Sequence, residues 1–264
     1  MLTAANHQWR VILLSLKYNL MREMTNRITF MTNVCFMILN NATFIIQWML
    51  LFHLKKSIGG YQLDEIMLLW GLSASTYGLS HIMFQQAYSL PTIIMNGKLD
   101  SYLVQPKNVL LSVITSATNS SAIGDLIYGY LVLIIFNFSI TNLLLYTLFS
   151  ILGALIMTAF IVISGSISFW ITRGDMILDS LFNIMTLFST YPDTIFKEIV
   201  RLLFYTLVPI GFMVYLPMKI ILHFNLLFVL AVICFTLFIV PLAFFIFNRG
   251  LRRYTSSNLM MSRI

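Results

Sequence analysis

The sequence predicts an all-α, polytopic membrane protein on three observations: 59% hydrophobic residues, only 9% charged residues, and a mean hydropathy of +0.89. A water-soluble globule of 264 residues needs more polar surface than this to cover it. Crossing about 30 Å of hydrocarbon takes about 20 helical residues, and the apolar runs give room for about six such helices and short loops. No soluble domain fits beside them. The net charge of +7 would in a soluble protein raise the question of nucleic acid. Here most Lys and Arg lie just outside apolar runs, where they set orientation, so lipid is the expected partner and nucleic acid is not.

Residues 1–27 carry no signal peptide: Arg10, Lys17, Arg22 and Arg27 interrupt any apolar h-region. Trp9, Ile12, Leu13, Leu16, Leu20 and Met24 recur at 3 to 4 residue intervals. The stripe predicts an amphipathic helix lying in the cytoplasmic interface, with the transmembrane domain over 28–264. The first span is expected at about 28–54; Asn33, Asn40, Asn41 and Gln47 give it a face for protein rather than lipid. Lys55, Lys56, Gly59 and Gly60 make a turn, and a second span follows at about 63–88. Its Gly71, Ser73, Ser75, Gly78 and Ser80 are of the size that lets helices approach closely.

The polar stretch 96–108, NGKLDSYLVQPKN, then separates two apolar runs. Leu99, Tyr102 and Leu103 fall at helical spacing and Pro106 closes the pattern, which predicts a short docking helix in an aqueous loop. The third span is expected at about 122–138, because the SVITSATNSS before it is markedly polar. Asp125 stands at its start and stays open between a structural carboxylate near the cytoplasmic face and a group on a substrate path. The fourth span is expected at about 143–170.

After Arg173, Gly174 and Asp175 come three apolar runs, at about 176–191, 199–222 and 226–247. Arg10, Lys17, Arg22 and Arg27 precede the first span, and Arg249, Arg252, Arg253 and Arg263 follow the last, so both ends are expected in the cytoplasm and the span count is even. With six spans, eleven Lys and Arg fall inside and five outside. The run to demote contains Pro209, Gly211 and Pro217 and follows Tyr191, Pro192 and several charges. Broken backbone at membrane depth needs a protein or water surround, so 192–223 is expected to form re-entrant half-helices from the outer face.

Gly97, Leu99, Asp100, Leu103 and Pro106 in GKLDSYLVQP, Tyr191-Pro192 with Pro209 and Pro217 downstream, and the terminal NRGLRRYTSS occur in that order. Together they resemble the six-span permease subunits of ABC-2 type transporters over the whole chain. The resemblance implies a transporter half worked by a separate cytoplasmic ATP-binding cassette subunit, which would hold the ATP and Mg, with a second permease copy or a sister permease beside it. Lys98, Leu99, Asp100, Tyr102, Leu103, Pro106 and Lys107 would then couple to the ATPase, Leu99, Tyr102 and Leu103 entering its groove. Tyr191, Pro192, Pro209 and Pro217 would belong to the outer gate. Tyr254 with Arg249, Arg252 and Arg253 would support the cytoplasmic face, or serve only as a stop-transfer cluster.

The chain lacks a GxxxxGK[ST] phosphate loop, so no cofactor is expected in it and ATP chemistry must lie elsewhere. Two rival classes remain: a passive channel, and an intramembrane hydrolase built on Ser164-Gly165-Ser166 with His81 or His223. Small Ser-Gly-Ser runs in spans more often serve helix packing. The four His have no metal-ligand spacing. Cys35 and Cys234, far apart in apolar runs, are expected to be small buried residues. The 22 Phe and 16 Met suit a hydrophobic or amphipathic substrate, with drug, peptide, lipid and glycan all compatible.

Overall fold

The computed structural model describes residues 2–255 and is built from helices, with no strand among those residues. Ser256, Ser257, Arg263 and the side chain of Trp9 lie outside the described residues. The long helices are α1 (Leu2–Glu23), α2 (Arg27–Leu54) and α3 (Leu63–Phe84). The short α4 (Leu90–Met95), α5 (Asp100–Leu103) and α6 (Val109–Ile114) follow. Then come α7 (Ala122–Phe136), α8 (Ile140–Ser166), α9 (Gly174–Phe188), α10 (Glu198–Thr206), α11 (Leu216–Leu222) and α12 (Leu226–Leu251). By length and composition α2, α8 with its 3₁₀ extension to Phe169, and α12 can cross a membrane. The bent pair α10 and 211–222 would make a fourth if it counts as one span. α7 is apolar but shorter.

Burial ranks these helices. Over its most apolar window α8 is 72% buried, against 17% for α2 and 28% for α12, so α8 is the post around which the others stand and α2 is the outermost. α3 pairs with α7 along their length, and the pairing depends on missing side chains. A Cβ on Gly129 would come within 2.5 Å of the Gly71 carbonyl oxygen. At that spot Ser75 Oγ and Tyr146 Oη meet at 2.8 Å, tying α3 to α8.

The second span is shorter than the sequence suggests. The helix breaks at Phe84, passes through a 3₁₀ turn at Gln85–Ser89, and restarts as α4 with Pro91 in its first turn. Proline lacks the donor a helix interior requires but fits a helix start. The N-terminal stripe is also only half right. Ile12 is buried, whereas Leu13 and Met24 are exposed. What fixes α1 to the bundle is polar: Ser15 and Asn19 donate to the Thr115 carbonyl at 2.8 and 3.1 Å, and Ser120 donates to Glu23 at 3.0 Å. Cys35 and Cys234 are exposed, not buried, on the outward faces of α2 and α12, where a small apolar thiol is as much at home in lipid as in a core.

Contacts gather the connectors into two groups. At one end Thr194 reaches the Gly59 carbonyl, Tyr61 reaches Asp193, and Asn137 reaches the Asp64 carbonyl. At the other, Tyr254 packs on Phe169 and lies against Leu99 and Asp100.

Candidate functional site

The loop after α4 begins with a sharp stop. Gly97 takes φ +69, Lys98 N–H donates to the Ile93 carbonyl, and Gly97 N–H donates to that of Ile94. This is a Schellman closure, whose left-handed residue is glycine because a Cβ is unwelcome there. The turn throws the chain outward and delivers α5, one turn long. Leu99 is fully buried in the main core, so it anchors the loop and cannot enter a partner's groove as expected from sequence. Tyr102 is half-buried and donates to Ser116 Oγ at 3.2 Å. Lys98, Asp100, Leu103, Pro106 and Lys107 are exposed. Val104, absent from the expected docking set, is the most exposed apolar residue here at 83%.

The C-terminal motif meets this loop. Phe169 and Tyr254 make an edge contact at 6.4 Å, and Phe169 also packs on Phe247. The Tyr254 hydroxyl forms no well-aligned hydrogen bond among the described residues but lies against Leu99 and Asp100. Burial and the Asp100 carboxylate push it up to about 12.

At the opposite end, Tyr191 packs edge-on against Trp48 of α2 at 5.9 Å, and Pro192, Pro209 and Pro217 are all buried. The backbone turns by 87° between α10 and the segment 211–222, which opens with a π-helical turn at Gly211–Tyr215. Pro209 forces the break, since it can donate to no helical bond. Sequence reasoning missed the group that holds the bend. Asp193, 1% exposed, accepts from Lys219 Nζ at 2.5 Å and from Tyr61 Oη at 3.3 Å. The Ile58–Tyr61 turn, with Gly59 and Gly60 both at positive φ, brings Tyr61 there. Burial and the adjacent carboxylate raise the Tyr61 hydroxyl well above its ordinary range, so it acts as a donor. Asp193 and Lys219 were visible in sequence only as charges, 26 residues apart.

Between α2, α3, α7 and α9 lies a partly open cavity of about 330 Å³. Asp125 Oδ1 accepts from Asn41 Nδ2 at 2.6 Å on its wall. Phe44, Trp70, Tyr77 and Phe182 supply aromatic surface. Tyr77 Oη donates to Thr186 Oγ1 at 2.7 Å and Ser73 Oγ to Ser189 Oγ at 2.9 Å, so α3 and α9 satisfy each other's hydroxyls. His81, also on the wall, stacks on Tyr88 at 4.1 Å with Nδ1 3.0 Å from the Tyr77 carbonyl. A carbonyl only accepts, so Nδ1 carries the proton. Ser166 donates back to the Val162 carbonyl at 2.6 Å, a helix-packing arrangement.

The structure thus brings the loop 97–103 together with the C-terminal motif, and Asp193 and Thr194, just after Tyr191-Pro192, together with the α2–α3 turn; Asp125 belongs to neither group. Comparison with curated proteins gives no match, and comparison with solved structures gives none. Residues 38–258 match the family model described as "ABC-2 family transporter protein". That match runs from residue 38 inside α2 through α3 to α11 and takes in the whole of α12. The chain belongs to the ABC-2 family of transporter proteins.

Proposed function

We propose that the chain is the transmembrane permease subunit of an ATP-binding cassette exporter, working as a dimer with a second copy or a sister permease. ATP and Mg are held by a cytoplasmic cassette subunit. Six segments cross the membrane: α2, α3, α7, α8, α9 and α12. Segment 192–223 dips in from the outer face, and both chain ends are cytoplasmic. The substrate is hydrophobic or amphipathic. Family membership supports the permease assignment. The observation that carries the coupling is the exposed turn after Gly97, where Leu103 and Val104 are 42% and 83% exposed beside Lys98, Asp100 and Lys107.

An apolar pair rimmed by charge on a chain-anchored turn fits the core-and-rim anatomy of a docking surface. Leu103 and Val104 enter the cassette's groove while the charges set register. Cassette closure then pulls on α4 and α6 through the anchored Leu99, shifting the population of inward- and outward-open states.

The test is co-purification in mild detergent from the native host, combined with cross-linking from Leu103→Cys. A cassette subunit that is retained in stoichiometric amount and cross-links to position 103 is the expected result, and it places the loop on the cytoplasmic side. Leu103→Asp should insert normally and lose the cassette. Full ATP-dependent transport by Leu103→Asp would overturn the coupling assignment.

A further inference from the structure

We propose that the cavity beside Asp125 binds an organic cation, the charged head of an amphipathic substrate. This rests on the exporter reading and names the substrate class within it. The Asp125 side chain belongs to a residue only 9% exposed, and its hydrogen-bond partner among the described residues is the neutral amide of Asn41. The one ion pair among the described residues, Lys219 with Asp193, lies elsewhere, and no Lys or Arg lines the cavity. A carboxylate at membrane depth is costly without a counter-charge, and an amide does not supply one.

The walls point to the same ligand. Phe44 and Trp70 have ring centroids 4.3 Å apart, and Tyr77 and Phe182 are 5.9 Å apart, so two aromatic pairs line the same cavity as the carboxylate. Aromatic faces carry negative potential and attract ammonium and guanidinium groups, most strongly when water is excluded. The cavity hydroxyls of Ser73 and Tyr77 donate to Ser189 and Thr186 and so are not offered to a ligand. At about 330 Å³ the space suits a head group. Ligand pockets start at roughly 300 Å³, so an attached apolar tail would leave through the open side.

The test uses the full chain with the subunits that copurify in mild detergent. Equilibrium dialysis compares three probes sharing one ring: benzyltrimethylammonium, phenylacetamide and phenylacetate. Saturable binding of the cation alone is expected. Asp125→Asn should weaken it by about tenfold or more, the loss of a close charge partner. Phe44→Leu should weaken it by a few-fold, the loss of one aromatic face. If Asp125→Asn does not fold, wild-type probe selectivity and Phe44→Leu decide. Equal binding of phenylacetamide, or cation binding indifferent to both substitutions, would overturn the proposal. A cassette that copurifies while no cation binds rejects only the cation site. Cation binding without any cassette rejects the exporter reading instead.

Discussion

Two breaks in the helical pattern, the turn at 97–103 and the bend at 192–223, look alike in composition and differ in what they do with their polar groups. Both set glycine beside charge, with proline inside the bend and just past the turn at Pro106. At the bend one charge turns inward: Asp193 is buried and takes up Lys219 from the far arm of the bend and Tyr61 from the α2–α3 turn, while Lys197 and Glu198 stay exposed. At the turn after Gly97 Leu99 goes inward and Tyr102 partly so, Asp100 lies against Tyr254, and Lys98, Leu103 and Lys107 face out. The bend is tied by a buried ion pair and the turn by one buried leucine. The first holds a lock within the chain, and the second is a handle in shape alone, an exposed arm anchored by Leu99.

The difference can be broken most forcefully within the turn itself. Leu99 is fully buried, so Leu99→Ala should destabilise the protein by about 3 kcal/mol through lost burial and the cavity left behind. Leu103→Ala, four residues away and 42% exposed, should change stability by less than about 0.5 kcal/mol. Thermal unfolding in detergent measures both. Similar losses for the two would mean that the turn is an ordinary core element with no face set aside for docking.

The lock is the next place to press. Asp193→Ala removes the buried member of the pair and strands Lys219 and the Tyr61 hydroxyl, with an expected cost of about 3 kcal/mol. Lys219→Met should cost less than that only if Tyr61 goes on holding Asp193, and the double variant Asp193→Leu with Lys219→Met should recover much of the loss, because an apolar pair requires no desolvation of charge. Melting that is the same in Asp193→Ala and the parent would show that the bend is held by its prolines and aromatic cluster alone.

These contrasts explain which parts of the molecule were legible in sequence. The long apolar helices α2, α8 and α12 were, since about 20 apolar residues between charges have few alternatives to a membrane helix; the count of six spans was not. α2 and α7 lie within two residues of where hydropathy puts them. The break at 207–210 was legible because Pro209 lacks a helical donor and Gly211 follows close behind, whereas Pro241 alone is carried within α12. What remained hidden depends on pairings across sequence. Leu99 and Leu103 share an apolar identity, and only the Gly97 closure decides which points to the core. Asn41 and Asp125 are separated by 84 residues and Ser15 and Thr115 by 100. No local period encodes such a match. Periodicity also placed α1 by its apolar stripe, although its contact with the bundle runs through Ser15, Asn19 and Glu23.

The smallest expected effect concerns the seam between the handle and the chain's end. Tyr254 rests its ring on Phe169 and its hydroxyl beside Leu99 and Asp100, where burial and the nearby carboxylate disfavour the phenolate. A phenol whose folded-state value is raised to about 12 remains neutral while the unfolded chain ionises near 10. The contact therefore contributes fully below about pH 10 and is lost as pH climbs from 10 to 12. The absorbance titration of the parent minus that of Tyr254→Phe isolates this one tyrosine. Its midpoint should fall near 12, and Tyr254→Phe itself should melt within about 0.5 kcal/mol of the parent. A midpoint near 10 would detach the C-terminal motif from the turn after Gly97 and reduce the role of Arg249, Arg252 and Arg253 to holding the last helix at the membrane surface.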